Sequence, residues 1–378
     1  LFMLLLFLRM STTGLTAQAF GARDPAALAR ALVQPMALAL LAGALIIALR
    51  EPLIHLALHI TGGSEAVLAQ ARRFLEIRWL SAPASLANLV LLGWLLGVQY
   101  ARAPVILLVV GNLLNIALDL WFVMGLGLNV QGAALATAIA EYATLGIGLI
   151  MAARVLRLRG ITRLMLKTAW RGGVGRLLAL NRDIMLRSLL LQLCFGSITV
   201  FGARLGSDIV AVNALLMTLL TFTAYALDGF AYAVEAHAGQ AFGAQDKSQL
   251  HSVWRAACRQ AGMVALAFAL LYAVAGPSIV SLLTSLPSLQ ALAQPYLFWQ
   301  AILPLVGVWC YLLDGMFIGA TRGAEMRNSM AVAALGFGLT LLTLPYLGNH
   351  GLWLALTVFL ALRGLSLGYL WRRGRLLH

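Results

Sequence analysis

Apolar runs of about 20 residues, the length a helix needs to cross roughly 30 Å of hydrocarbon, recur along this whole chain. We read eleven of them in the 378 residues, and each predicts a membrane-spanning helix: 1–17, 32–49, 74–98, 103–126, 132–153, 184–203, 209–237, 254–275, 296–320, 328–347 and 351–371. A membrane barrel would instead show alternating strands of about 10 residues. These runs are continuous, so the sequence predicts an all-α polytopic membrane protein.

The net charge of +14 would indicate nucleic-acid binding in a soluble chain, but 62% of the residues are hydrophobic and the charge is unevenly placed. Threading the eleven spans puts nineteen of the 27 Lys and Arg residues on one side, eight of them within 154–182. By the positive-inside rule this side, with the C-terminus, is cytoplasmic. We therefore expect no nucleic-acid partner, and basic loops that contact anionic membrane lipid.

A seven-residue motif occurs twice. Gln-Ala-Phe-Gly-Ala-Arg-Asp at 18–24 returns as Gln-Ala-Phe-Gly-Ala-Gln-Asp at 240–246, and at the same offset Gly93 matches Gly315 and Gly97 matches Gly319. Both copies follow a helix that runs toward the cytoplasm, which makes the repeat parallel. The chain is thus predicted to be two six-helix bundles related by a pseudo-two-fold axis.

The repeat also predicts the domains. Two spans precede the second motif and only one precedes the first, so we expect that a first helix is absent from this sequence. The predicted division is an N-terminal bundle with five of six helices (1–153), a basic cytoplasmic linker (154–182) and a C-terminal six-helix bundle (183–378).

Ionisable groups inside the predicted spans are candidates for function, because each costs at least a few kcal/mol in hydrocarbon. Five acids qualify: Asp119, Glu141, Asp228, Glu235 and Asp314. Only two arginines, Arg187 and Arg363, lie deep enough to pair with them. This excess of acid favours a cavity that takes up protons, sodium ions or organic cations.

In the first half, Asn115 and Asp119 lie four residues apart and share one helix face with Asn112. Asn88 on the preceding span and Thr137 on the next can converge on them. The group fits a site for a coupling cation or proton, with hydrogen bonding between helices as the alternative.

In the second half, Asp228 and Glu235 lie seven residues apart on one face, with Tyr225 nearby and Asp314 just before the repeated Gly315. These four side chains are candidates for a substrate site or a second cation site. Solvation at the cytoplasmic end is the alternative for Glu235, and the pairing between acids and arginines stays open.

The sequence offers little for catalysis or metal binding. His55 and His59 have the spacing of a metal pair without an acidic third ligand, and the three cysteines stand singly. No phosphate loop, nucleophile elbow or zinc-protease motif is present. We expect no enzyme activity, no metal site, and no cofactor besides a proton or sodium ion for coupling.

The doubled motif, the Asn115-x-x-x-Asp119 pair and Gly-Ala-Ala-Leu-Ala-Thr at 132–137 resemble the multidrug and toxic compound extrusion (MATE) family, and within it the DinF branch of DNA-damage-inducible proteins. The resemblance covers essentially the whole chain. It implies efflux of organic cations or amphiphiles by proton or sodium antiport with alternating access, in a bacterial inner membrane. Asn115, Asp119 and Thr137 match the family's N-terminal cation site by spacing and Asn88 matches more loosely, while Asp314 is similar to an acid of the C-terminal bundle.

Two alternatives remain at this point. The same superfamily includes flippases for lipid-linked saccharides or other amphiphiles, and outside transporters the chain is read as a non-catalytic membrane scaffold. A scaffold would not explain why five acidic residues lie within the predicted spans. In either transport case the partners are a small-molecule substrate and membrane lipid, and we expect a monomer.

The charge asymmetry predicts the topology. A reporter fused near Arg171, within the basic segment 154–182, is expected to lie in the cytoplasm, because moving its many cations outward opposes the positive-inside bias. Alkaline phosphatase activity from that fusion, with a fusion in the loop before Glu65 as the external control, would contradict the assignment.

Overall fold

The computed structural model describes residues 6–100 and 102–373, and within these ranges the chain is helical with no β-strand. Ten helical segments among them are long and apolar enough to cross a membrane, and they correspond to the second through eleventh predicted spans. The first predicted span, 1–17, begins outside the described residues and continues into the first helix. Many leucines are exposed on the helices, as lipid-facing side chains of a membrane protein are.

The chain divides into two compact units, one ending at Leu177 and the other beginning at Leu178. The N-terminal unit contains α1 (Phe7–Gly21), α2 (Pro25–Ala48), α3 (Arg50–Thr61), α4 (Glu65–Arg78), α5 (Ala82–Gly97), α6 (Arg102–Asp119), α7 (Asn129–Leu158) and α8 (Arg163–Thr168). Its centre is α5, where Trp94 is fully buried and donates from its indole nitrogen to the backbone oxygen of Leu28, 3.0 Å away.

The helix α9 (Val174–Leu205) leads into the C-terminal unit. That unit continues with α10 (Ser207–Ala244), α11 (Lys247–Leu283), α12 (Pro287–Ala293), α13 (Leu297–Gly319), α14 (Gly323–Thr340), α15 (Leu344–Leu347) and α16 (Asn349–Arg373). Its centre is α13, in which every residue from Leu312 to Gly319 is buried.

The repeat seen in the sequence extends to individual packing contacts. A Cβ built on Gly93 of α5 would lie 2.6 Å from the backbone oxygen of Arg9, and one on Gly315 of α13 would lie 2.8 Å from that of Ala231. Arg9 and Ala231 are themselves equivalent in the repeat. The glycines therefore allow α5 to touch α1, and α13 to touch α10, at backbone distance.

The doubled motif forms the same turn in both units. Arg23 and Gln245 adopt left-handed backbone conformations, with φ of 53° and 54°, and end α1 and α10. The next residue begins the following helix: Asp24 accepts a hydrogen bond from the Ala27 amide, and Asp246 accepts one from the Gln249 amide. The motif thus encodes a tight helix-to-helix turn with a carboxylate N-cap.

Helices also occupy two segments that lie mostly outside the predicted spans. Most of residues 50–78 were expected to form a loop between two spans, but they form α3 and α4. These helices mix polar and apolar residues, so they lack the continuous hydrophobicity by which the spans were predicted. The predicted linker 154–182 is largely helical, since α7 runs to Leu158, α8 occupies its middle and α9 begins at Val174.

The close approach of α13 to α10 predicts the effect of adding one methyl group. Gly315→Ala is expected to lower the unfolding temperature, at a cost of about 1–3 kcal/mol, because a backbone oxygen cannot yield as a side chain can. Gly229→Ala is the control, since a Cβ at that position of α10 has nothing within 4 Å. Equal unfolding temperatures for both variants in detergent would contradict this packing.

Candidate ion-binding site

Two of the side chains predicted to form a cation site meet between α6 and α7, and the third lies one turn further along α6. The hydroxyl of Thr137 is 3.4 Å from the Oδ1 atom of Asn115, and Asp119 follows Asn115 by one helical turn. The Thr137 hydroxyl also lies 3.1 Å from the backbone oxygen of Ala133. Amide, hydroxyl and carboxylate oxygens are therefore available on neighbouring helix faces.

The carboxylate of Asp119 is the unusual member of this group. Its Oδ1 atom is buried and has no hydrogen-bond partner among the described residues. A buried acceptor of this kind is rare in a folded protein and calls for an explanation, such as a bound ion or proton.

The backbone changes directly after Asp119. Residues Leu120–Gly125 form a turn of π-helix rather than continuing α6. Such wide turns are uncommon and occur frequently at functional sites. Nothing in the apolar sequence of this segment predicts it.

Asn88, the fourth residue predicted for this site, makes a different contact. Its side-chain amide donates to the backbone oxygen of Glu141, at 3.0 Å, one turn beyond Thr137 on α7. Asn88 thus binds α5 to α7 next to the group of three, and its amide nitrogen is committed to that carbonyl.

Glu141 is paired by an arginine that the sequence analysis overlooked. The guanidinium of Arg78 contacts both carboxylate oxygens, at 2.7 and 3.0 Å, and Ser85 donates to the same carboxylate. The expectation that only Arg187 and Arg363 can pair with membrane acids is therefore wrong. The available signal was the position of Arg78 inside the apolar run 74–98, where it too needs a partner.

Asp314, a predicted substrate or cation residue, is held by both arginines of the C-terminal unit. Arg187 and Arg363 each donate from Nη2 to its Oδ2 atom, Arg187 at 2.6 Å. Asp314 is therefore paired with two buried arginines in this structure. Its role in a substrate site or a second cation site stays a prediction.

The other three predicted residues of the second half do not share one environment. On α10, Glu235 is 2% exposed and Asp228 is half-buried, whereas Tyr225 is 73% exposed. Asp228 and Glu235 are therefore buried to different extents despite their regular spacing, and Tyr225 is exposed.

Comparison with known proteins identifies relatives of this chain. The MatE family model matches residues 1–121 and 184–347. The chain is 80% identical over 373 residues to DNA damage-inducible protein F of Escherichia coli (strain K12), covering 99% of this chain and 81% of that protein. It is 26% identical to Protein DETOXIFICATION 43 of Arabidopsis thaliana, over 79% of this chain and 56% of the plant protein.

A solved structure shares the fold. A MATE protein crystallised in the bent conformation superimposes with a TM-score of 0.86 at 22% identity, covering 99% of this chain and 84% of that one. The two-bundle helical architecture is thus a known one.

The Arg78–Glu141 pair is expected to stabilise the N-terminal unit. Glu141→Gln should lower the unfolding temperature, at a cost of about 1–3 kcal/mol, because it leaves a half-buried guanidinium without its anion. Replacing both residues by Leu should restore most of the loss. Glu51→Gln, which breaks the exposed pair with Arg72, is the control and should change little; equal losses for Glu141→Gln and Glu51→Gln would refute the assignment.

Proposed function

The chain belongs to the MatE family of membrane transporters, and from that premise we propose that it exports organic cations or amphiphiles in exchange for protons or sodium ions. The observation that carries the proposal is the buried Oδ1 atom of Asp119, which has no hydrogen-bond partner among the described residues and lies one helical turn after Asn115, the residue in contact with Thr137. A proton or a sodium ion would supply what that oxygen lacks.

The three side chains suit either ion. Sodium prefers hard oxygen ligands, and Asp119, Asn115 and Thr137 offer one carboxylate, one amide oxygen and one hydroxyl. A proton would need only the carboxylate, with the neighbouring polar groups as hydrogen-bond partners for the acid form. Both ions neutralise Asp119, which lowers the cost of keeping that side chain within the membrane.

Exchange follows if the ion and the substrate favour different conformations. A ligand shifts a conformational equilibrium only by its difference in affinity for the two states. Alternating access then requires that the ion-bound and substrate-bound forms prefer opposite openings. The repeated units support this proposal, because each contains its own core and can keep that core intact during the exchange.

Location and orientation are part of the proposal. We place the protein in the bacterial inner membrane with its C-terminus in the cytoplasm, on the basis of the charge asymmetry and the bacterial relative. Substrate would then leave the cytoplasm as protons or sodium ions enter.

Replacing Asp119 tests the coupling role. Asp119→Asn keeps the shape of the side chain but removes its charge, so gradient-driven efflux of ethidium from proteoliposomes should fall by about an order of magnitude or more. Asp208→Asn, which changes an exposed carboxylate in the first turn of α10, is the control and should transport normally.

The same preparation separates coupling from packing. Asp119→Asn is expected to unfold near the wild-type temperature and still to bind ethidium. Efflux at the wild-type rate would show that Asp119 only holds helices together. Gradient-independent movement of a labelled lipid, without ethidium efflux, would favour a flippase.

A further inference from the structure

One face of α11 begins as a groove lined by polar and basic side chains. The groove has a volume of about 570 Å³, and its polar lining consists of Ser248, His251, Ser252, Arg255 and Arg259. These positions fall on a single side of the helix. All five residues are exposed, while other positions of α11 pack against α10 and α13. We call these five residues the basic groove.

The two arginines of the basic groove are free to bind an anion. Neither Arg255 nor Arg259 forms an ion pair or a hydrogen bond among the described residues. The nearest acid in the sequence, Asp246, accepts from the Gln249 amide as the N-cap of α11 and lies nine residues, about 13 Å along the helix, before Arg255. The next acid after it is Asp314 of α13.

The same face of α11 continues as an apolar stripe. Met263, Leu266, Leu270 and Val274 follow Arg259 at intervals of three or four residues, and they are 63%, 49%, 57% and 82% exposed. The eleven residues from Arg259 to Leu270 extend about 16 Å, close to the roughly 15 Å of hydrocarbon in one leaflet. A cationic end followed by one leaflet's depth of apolar surface has the dimensions of a phospholipid.

The arginines of the basic groove are absent from the repeat. Val33 and Ala37 of α2 stand at the positions that correspond to Arg255 and Arg259. Features that the bundle itself needs, such as the glycine contacts and the turn of the doubled motif, occur in both units. Because the two arginines occur in one unit only, the packing of a bundle does not require them.

We propose that the basic groove and the apolar stripe together bind one anionic phospholipid of the bilayer. The phosphate would accept from Arg255 and Arg259, whose planar donors match its oxygens, and an acyl chain would lie along the stripe from Met263 to Leu270. A zwitterionic lipid fits less well, because the arginines repel its ammonium group. This binding is independent of the ion exchange proposed above.

Native mass spectrometry of the delipidated protein tests the lipid site. The wild type should bind dioleoyl phosphatidylglycerol at least about tenfold more tightly than dioleoyl phosphatidylcholine, which has the same chains. The double variant Arg255→Gln, Arg259→Gln should lose this preference. The matched control, Arg154→Gln with Arg157→Gln, removes two exposed arginines from the end of α7 and should retain it.

Two further measurements complete the test. Phosphatidylglycerol should raise the unfolding temperature of the wild type and of the control, but not that of the groove variant. The deacylated headgroup, glycerophosphoglycerol, should not displace the bound lipid, because it lacks the chains that contact the stripe. Equal affinity of the wild type for the two lipids, which needs no variant to measure, overturns the lipid site. Equal losses in both double variants, or displacement by the headgroup alone, overturn it as well, and displacement would indicate a site for a soluble phosphate compound.

Discussion

Lipid offers no hydrogen-bond partner to a buried polar group, and this single constraint determines most of what the structure contains. Backbone groups are satisfied within helices, so the described chain is helical throughout its spans. Side-chain charges must be satisfied by one another, and Glu141 with Arg78 and Asp314 with two arginines do so. The buried Oδ1 atom of Asp119 departs from this rule, because it has no hydrogen-bond partner among the described residues, and both polar side-chain atoms of Gln300 depart from it in the same way.

Helix packing in this solvent depends on contact rather than on the hydrophobic effect, because lipid tails are as apolar as leucine. In each unit, a central helix that carries glycines packs closely against a neighbouring helix. Gly93 and Gly97 bring α5 against α1, and Gly315 and Gly319 bring α13 against α10. These glycines therefore recur in the sequence because the same helix packing recurs in both units. They recur even though the side chains around them differ between the two halves.

The spans and the pairing of Asn115 with Thr137 could be predicted from the sequence, because helical periodicity and the order of neighbouring helices are local properties. Contacts that depend on the rotation of a helix about its own axis could not be predicted from the sequence. Asn88 lies on the predicted helix but donates to the backbone carbonyl of Glu141 rather than to the cation site. Arg78 pairs with the carboxylate of the same residue, 63 positions later in the chain. Asp314 of α13 pairs with Arg187 of α9 and Arg363 of α16, so this pairing depends on how three helices are arranged and not on spacing along one helix.

The turn between α1 and α2 is closed by short-range backbone bonds: the amide of Asp24 donates to the oxygen of Ala19 at 3.2 Å, and in the second unit Asp246 donates to Ala241 at 3.0 Å. These bonds need no residue synthesised later. As the chain leaves the ribosome, each such helical hairpin can therefore close and enter the bilayer as one element before its central helix arrives. The doubled motif thus gives each half one helical hairpin that can close locally during biogenesis.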